Sequence, residues 1–226
     1  MTEFLLLPGA GGDAWYWHLV VQELRNHGHI AVPVDLPGDD DAAGLPDYAA
    51  IAVRSAKDLT EIVMVAQSLG AFTAAIAAAR LPIRAVVLVN AMIPRPGESP
   101  GAWFENTGAE EARVAARDGR DPGEDFTHDL RAEVVSELVT RTRGQSASIF
   151  ASPCDFDGWP PVPVHAVTGA DDRFFPPEFQ RRLCRDRLGT DPVVLPGGHA
   201  IALAQPVALA HCLLRLAGSQ PHAMRG

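Results

Sequence analysis

The stretch Ile62-Val63-Met64-Val65-Ala66-Gln67-Ser68-Leu69-Gly70 decides how the rest of the chain is read. Five apolar residues without polar alternation make a strand covered on both faces. Ser68 to Arg80, rich in alanine, reads as a helix that starts almost at once. A buried strand passing directly into a helix is half of a strand–helix–strand unit. Such units build parallel sheets, because parallel neighbours need a crossover between them.

On both sides of this stretch the same unit recurs. Phe4–Leu7, Ile30–Val34, Ala85–Val89, Val162–Thr168 and Pro192–Leu195 are further short apolar strands. Helical patterns run over Trp15–Asn26, Tyr48–Leu59, Pro177–Arg187 and Ile201–Leu216. The alternation predicts an α/β fold: a doubly wound, mostly parallel sheet of about six strands flanked by helices. One interval breaks the rhythm. From Met92 to Pro161 there is no good strand, much Pro, Gly and charge, and helical patches at Ala109–Arg117 and Leu130–Arg141. So long an excursion between two strands reads as an inserted helical cap, residues 92–161, on a core of residues 1–91 and 162–226.

Composition narrows the function classes. The chain has 226 residues, 47% hydrophobic and 21% charged, which suits a packed domain and excludes a mainly disordered one. A net charge of −9 repels phosphate, so neither nucleic acid nor an anionic membrane surface is an expected partner. Cys154, Cys184 and Cys212 are odd in number and widely spaced, against a disulfide framework or a zinc site. The N-terminal run lacks a basic region and is too short for a signal peptide, so a cytoplasmic location is expected. Asp39-Asp40-Asp41 lacks the spaced partners of a metal cluster and reads as solvated loop.

In an open parallel sheet, ligands bind beyond the carboxyl ends of the strands. The loop leaving each strand is therefore informative. After Phe4–Leu7 comes Pro8-Gly9-Ala10-Gly11-Gly12; after Ile62–Ala66, Gln67-Ser68-Leu69-Gly70. After Val162–Thr168 comes Gly169-Ala170-Asp171-Asp172, and after Pro192–Leu195, Pro196-Gly197-Gly198-His199. A hydroxyl, a carboxylate and an imidazole thus fall on one edge of one sheet, in the order Ser68, Asp171 or Asp172, His199. Ser68 by itself would also read as a helix N-cap.

On these residues the chain resembles the α/β-hydrolase superfamily, apart from the cap. Ala66-Gln67-Ser68-Leu69-Gly70 resembles the family's small-x-Ser-x-Gly nucleophile elbow. Gly169 to Pro176 resembles its Gly-x-x-Asp-x-x-x-Pro acid loop, which selects Asp172 over Asp171. Gly197-Gly198-His199 matches its late histidine loop, and Leu7 to Gly12 followed by Trp15-Tyr16-Trp17 its oxyanion loop and first helix. Two departures stand out: Ala66 replaces the usual glycine, and Pro8-Gly9 the usual His-Gly. The short N-terminus and Asp35-Leu36-Pro37-Gly38 resemble a small-capped group related to plant methylesterases.

The resemblance implies a catalytic triad of Ser68, Asp172 and His199, with the backbone N–H groups of Ala10 and Leu69 as oxyanion hole. It implies hydrolysis of a small ester or related acyl substrate through an acyl-enzyme, with no metal or organic cofactor. His199 must be neutral to take the serine proton, so activity is expected to fall on the acid side. Lyase or carbon–carbon bond cleavage on the same triad, and non-catalytic binding of a small ligand, are the alternative readings. Gly9, Trp15, Trp103, Phe104 and Phe126 are the expected pocket walls. Packing of the first helix would claim Trp15 equally well, and the cap's own core would claim Trp103, Phe104, Phe126 and Phe150.

The other histidines and polar strand ends serve as controls. His165 lies within a strand and reads as a buried group. His18 and His211 fall in helices, His27 and His29 at a turn, His128 in the cap and His222 in a terminal tail. Asp35 reads as a loop anchor. Asn90 ends the fourth strand, where some hydrolases keep their acid, and its amide cannot fill that role.

Overall fold

A computed structural model describes residues 1–117, 119–141 and 143–218; His222 lies outside the described residues. Six parallel strands form one sheet: β1 (Glu3–Leu7), β2 (Ile30–Pro33), β3 (Ile62–Gln67), β4 (Ile83–Val89), β5 (Val164–Gly169) and β6 (Val193–Leu195). Their order is β2-β1-β3-β4-β5-β6. After β2 the chain crosses back over β1 to start β3, so the winding reverses between β1 and β3. That reversal opens a crevice at their carboxyl ends. Leu7 pairs with Ala66, Gln67 with Val89, Val89 with Val167 and Gly169 with Leu195, so the loops leaving these strands start at one level.

The apolar runs behave as their pattern requires. Every residue of β3 is buried. Successive side chains point to opposite faces, and each face meets its own helices. Phe4, Leu6, Val63, Val65, Val87 and Val167 pack on α1 (His18–Asn26) and on a late helix, Pro206–Ala217. Leu5, Leu7, Met64, Val86, Leu88 and Ala166 pack on α2 (Leu45–Ser55), α3 (Gly70–Ala78) and a helix over Pro177–Leu188. Among the described residues no helix is long and apolar enough to cross a membrane.

Between β4 and β5 the chain makes α4 (Pro100–Thr107), α5 (Ala109–Arg117), α6 (Ala132–Arg141) and α7 (Ser148–Ala151), and among the described residues no strand. After β5 come α8 (Pro177–Leu188), α9 (Ile201–Ala204) and α10 (Pro206–Ala217). Three expected elements are corrected. The first helix opens as a 3-10 turn over Ala14–Trp17 before α1. The second runs over Leu45–Ser55, with Pro46 in its first turn, rather than Tyr48–Leu59. The final helix is two, α9 and α10, broken at Gln205, which takes φ −135°. Pro206 explains the break: its ring pushes the preceding residue out of helical geometry and it has no N–H to donate.

One buried ion pair ties the start of the β4–β5 excursion to α8. The Arg187 guanidinium donates to both carboxylate oxygens of Glu98, and Asn106 adds a 2.9 Å hydrogen bond. The two side chains are 2% and 4% exposed. Burial pushes the Glu98 carboxyl up, but hydrogen bonds from Arg187, Asn106 and the Arg95 N–H outweigh it and hold the group below its ordinary value of 4.5. Glu98→Ala leaves a buried guanidinium without its partner and is expected to cost about 3–5 kcal/mol in chemical denaturation. The wild-type contribution is present above the ordinary carboxylate range and is lost as pH falls through the lowered value. Acid titration of stability should therefore be steeper for wild type than for Glu98→Gln.

Candidate active site

Ser68 sits where β3 turns into α3. Its φ is +49°, a left-handed conformation that side-chain-bearing residues rarely adopt. The turn is held by a hydrogen bond from the Ser68 N–H to the Val89 carbonyl, 3.1 Å, and by two donated to the Ser68 carbonyl, from Ala71 and Met92. The helix therefore begins at Gly70, two residues later than the alanine-rich pattern suggests. A side chain at Gly70 would place its Cβ 2.4 Å from the Pro8 carbonyl oxygen, so only glycine lets α3 pass this close to the loop after β1. The tightness that strains Ser68 also brings that loop against it.

His199 reaches the serine from the loop after β6. Its Nε2 lies 3.2 Å from Ser68 Oγ and its Nδ1 2.9 Å from Asp172 Oδ2. All three residues are buried. An ionised Asp172 accepts the Nδ1 proton, which leaves Nε2 free to accept from the serine hydroxyl. The second carboxylate oxygen of Asp172 accepts from the N–H groups of Phe174 and Phe175, at 2.9 and 2.8 Å. Asp171 points elsewhere and accepts from the Gly197 N–H at 3.2 Å.

Ala10, Leu69, Ser68 and His199 line one cavity of about 440 Å³. Among the described residues the N–H groups of Ala10 and Leu69 donate to no protein acceptor. Both donors therefore border, without a protein partner, the cavity that Ser68 also lines. The remaining wall is mostly apolar and includes Met92, Phe104, Phe126, Phe150 and Phe174. Phe126, Phe174 and Phe175 set their rings around His199, with centroids 5.2, 4.9 and 5.2 Å away.

Of the expected pocket walls, Phe104 and Phe126 line this cavity. Gly9 and Trp15 line an adjoining cleft of about 110 Å³ instead. Trp103 is corrected outright. It is fully buried in the core among Phe104, Phe175 and Phe179, and its indole N–H donates to the Ile93 carbonyl at 3.0 Å. A Trp with its one donor satisfied and both faces packed has nothing left to offer a ligand.

The chain matches the model of the alpha/beta hydrolase family over residues 4–211. It belongs to that family. Among curated proteins it is 32% identical to the probable esterase PIR7A of Oryza sativa subsp. indica over 115 residues, which cover 46% of this chain and 44% of the rice protein. It is 28% identical to Methylesterase 7 of Arabidopsis thaliana over 116 residues, 46% of this chain and 45% of the plant protein. The matched stretches thus span less than half the length of these curated relatives. Among solved structures it resembles an extracellular alpha/beta-hydrolase from a Paenibacillus species, with a TM-score of 0.81 and 17% identity over 97% of this chain and 100% of that one. It also resembles polyneuridine aldehyde esterase, with a TM-score of 0.73 and 19% identity over 96% and 99% of the two chains.

The thiols of this alpha/beta hydrolase family member are unsuited to nucleophilic work. Burial pushes Cys154 and Cys184 up to about 12 and raises Cys212 as well. His165 lies within β5 as expected, but it is only half-buried rather than buried, its ring Nε2 has no partner among the described residues, and partial burial lowers its pKa. Asp35 is the loop anchor expected, accepting from the Ala14 N–H at 3.2 Å and from Arg143 at 2.6 Å.

Asn90 has a part that its sequence position does not reveal. It is fully buried at φ +44°. Its Nδ2 donates to the Gly198 and His199 carbonyls, both at 3.1 Å, and its Oδ1 accepts from the Gly169 N–H at 2.8 Å. One amide thus joins the end of β4 to the acid and histidine loops. A buried Asn at a strand end, tolerant of left-handed backbone, is the signal that could have found it. Gln145 makes a similar link, accepting from the Gly11 N–H of the loop after β1 at 3.0 Å.

Proposed function

We propose that this chain is a serine hydrolase of small, predominantly apolar carboxylic esters, working through an acyl-enzyme on Ser68. The observation that carries the reading is His199 bridging Ser68 Oγ and Asp172 Oδ2 at one end of an apolar cavity. The rice and Arabidopsis relatives, named as esterases, support the class of bond.

His199 Nε2 takes the Ser68 proton as Oγ attacks the ester carbonyl carbon. The carbonyl oxygen gains negative charge and sits on the N–H groups of Ala10 and Leu69, each such donor contributing about 3 kcal/mol to the barrier reduction. Asp172 holds the imidazole in the productive tautomer and stabilises the imidazolium. His199 then passes the proton to the departing alcohol oxygen, leaving the acyl group on Ser68. A water molecule, deprotonated by the same nitrogen, hydrolyses that ester and restores the serine. The aromatic rings around His199 lower the local dielectric and strengthen each of these electrostatic contacts.

A fluorophosphonate tests the reading, since it reacts only with an activated serine. Intact-mass spectrometry should find one adduct, mapped to Ser68. Well-folded protein that gains no adduct and turns over no 4-nitrophenyl ester would sink the proposal. Saturable ligand binding without turnover would then favour the binding-protein alternative, and cleavage with no trapped acyl-enzyme the lyase.

A further inference from the structure

The excursion between β4 and β5 does more than roof the cavity. Behind its 3-10 turn at Pro122–Glu124 lies His128-Asp129, and this pair grips the two loops that carry Asp172 and His199. Asp129 Oδ2 accepts from the Gly198 N–H at 2.6 Å, a short charge-assisted bond to the residue before His199. His128 Nε2 donates to the Asp171 carbonyl at 3.0 Å, beside Asp172. The two side chains pack directly against Gly198. A Cβ at Gly198 would fall 2.8 Å from His128 Nε2 and 2.9 Å from Asp129 Oδ1.

Asn90 holds the next two peptides of the same loop. It donates to the carbonyls of Gly198 and His199, while Asp129 takes the Gly198 N–H. The backbone that aims the imidazole is therefore pinned between the end of β4 and the excursion. The acid loop adds Asp171 Oδ2, which takes the Gly197 N–H at 3.2 Å.

We infer that Asp129 is a positioning residue for catalysis, fixing His199 toward Ser68 through its hydrogen bond to the Gly198 N–H. The inference rests on the hydrolase reading of Ser68, Asp172 and His199. The hydrogen bond, rather than the charge, is the active element, because an amide oxygen at the same place accepts the same N–H. Asp129 does not line the 440 Å³ cavity beside Ser68 but a separate cleft next to Asp171 and Asp172, so its loss acts on the geometry of the reacting pair more than on substrate binding.

The test is kinetic and spectroscopic, on the full chain. Asp129→Ala should lower kcat on a 4-nitrophenyl ester about 10- to 100-fold, the usual cost of a misplaced catalytic group, with KM changed less than about twofold. Fluorophosphonate labelling of Ser68 should slow in parallel, and Asp129→Asn should recover most of both losses. In unmutated protein the Gly198 amide proton should be shifted downfield and protected from exchange, a readout that does not depend on any variant folding. Asp129→Ala labelling as fast as wild type, Asp129→Asn as impaired as Asp129→Ala, or an unprotected Gly198 amide would each overturn the positioning role while wild type still labels. Wild type that does not label overturns both this role and the hydrolase reading.

Discussion

Ser68→Ala is expected to lower kcat for ester hydrolysis by about 10⁵- to 10⁶-fold, the scale on which a serine nucleophile is worth its neighbours' combined effect. The loss is large because the rest of the site is arranged around that oxygen. His199 Nε2, 3.2 Å away, has no other proton to take from the protein in the attacking step. The N–H donors of Ala10 and Leu69 stabilise charge only once a nucleophile has added to the carbonyl. Ala fits the φ of +49° no worse than Ser does, and the side chain is already buried, so the fold should keep its thermal midpoint within a few degrees. Unchanged Tm, lost turnover and lost fluorophosphonate adduct together would identify Ser68 as nucleophile. A variant retaining a tenth of wild-type activity would show that water attacks directly or that another group does.

The sheet and the edge that carries Ser68, Asp172 and His199 are legible in the sequence because their signals are local. Apolar runs at Phe4–Leu7 and Ile62–Ala66 have no other way to be buried, and Gly70 two residues after Ser68 marks the close approach to Pro8. The features that escape the sequence depend on contacts across long separations. Asn90 reads as inert because its amide is neither acid nor base. Its use lies in bonds to residues 108 and 109 positions away. Trp103 reads equally as a pocket wall or as core beneath the cap, because nothing in the sequence around it says which side it faces. The packing of Phe175 and Phe179, more than seventy residues later, decides it. The break at Gln205 is a different kind of miss. Its cause, Pro206, is local, and the apolar periodicity on either side masks it.

Asp172→Asn is expected to lower kcat about 10⁴-fold while leaving the site's outline intact. The carboxylate has two separate jobs here. Oδ1 caps the turn by accepting from Phe174 and Phe175, and an asparagine oxygen performs that equally well. Oδ2 accepts from His199 Nδ1 at 2.9 Å, and there the asparagine would present an NH₂ group instead. Two donors cannot face each other in a buried contact, so the imidazole shifts its proton to Nε2. A protonated Nε2 meets the Ser68 hydroxyl as a donor and cannot take its proton. The fold survives because the turn survives; the chemistry stops because the tautomer is wrong. Asp171→Asn is the matched comparison. Among the described residues its carboxylate meets the Gly197 N–H, which an amide oxygen also accepts, so kcat should fall no more than severalfold. Equal losses in the two variants would remove Asp172 from its role. A thousandfold or greater gap, with nitrogen-15 shifts of His199 reporting the proton on Nε2 in Asp172→Asn alone, would establish that the carboxylate works by fixing the tautomer.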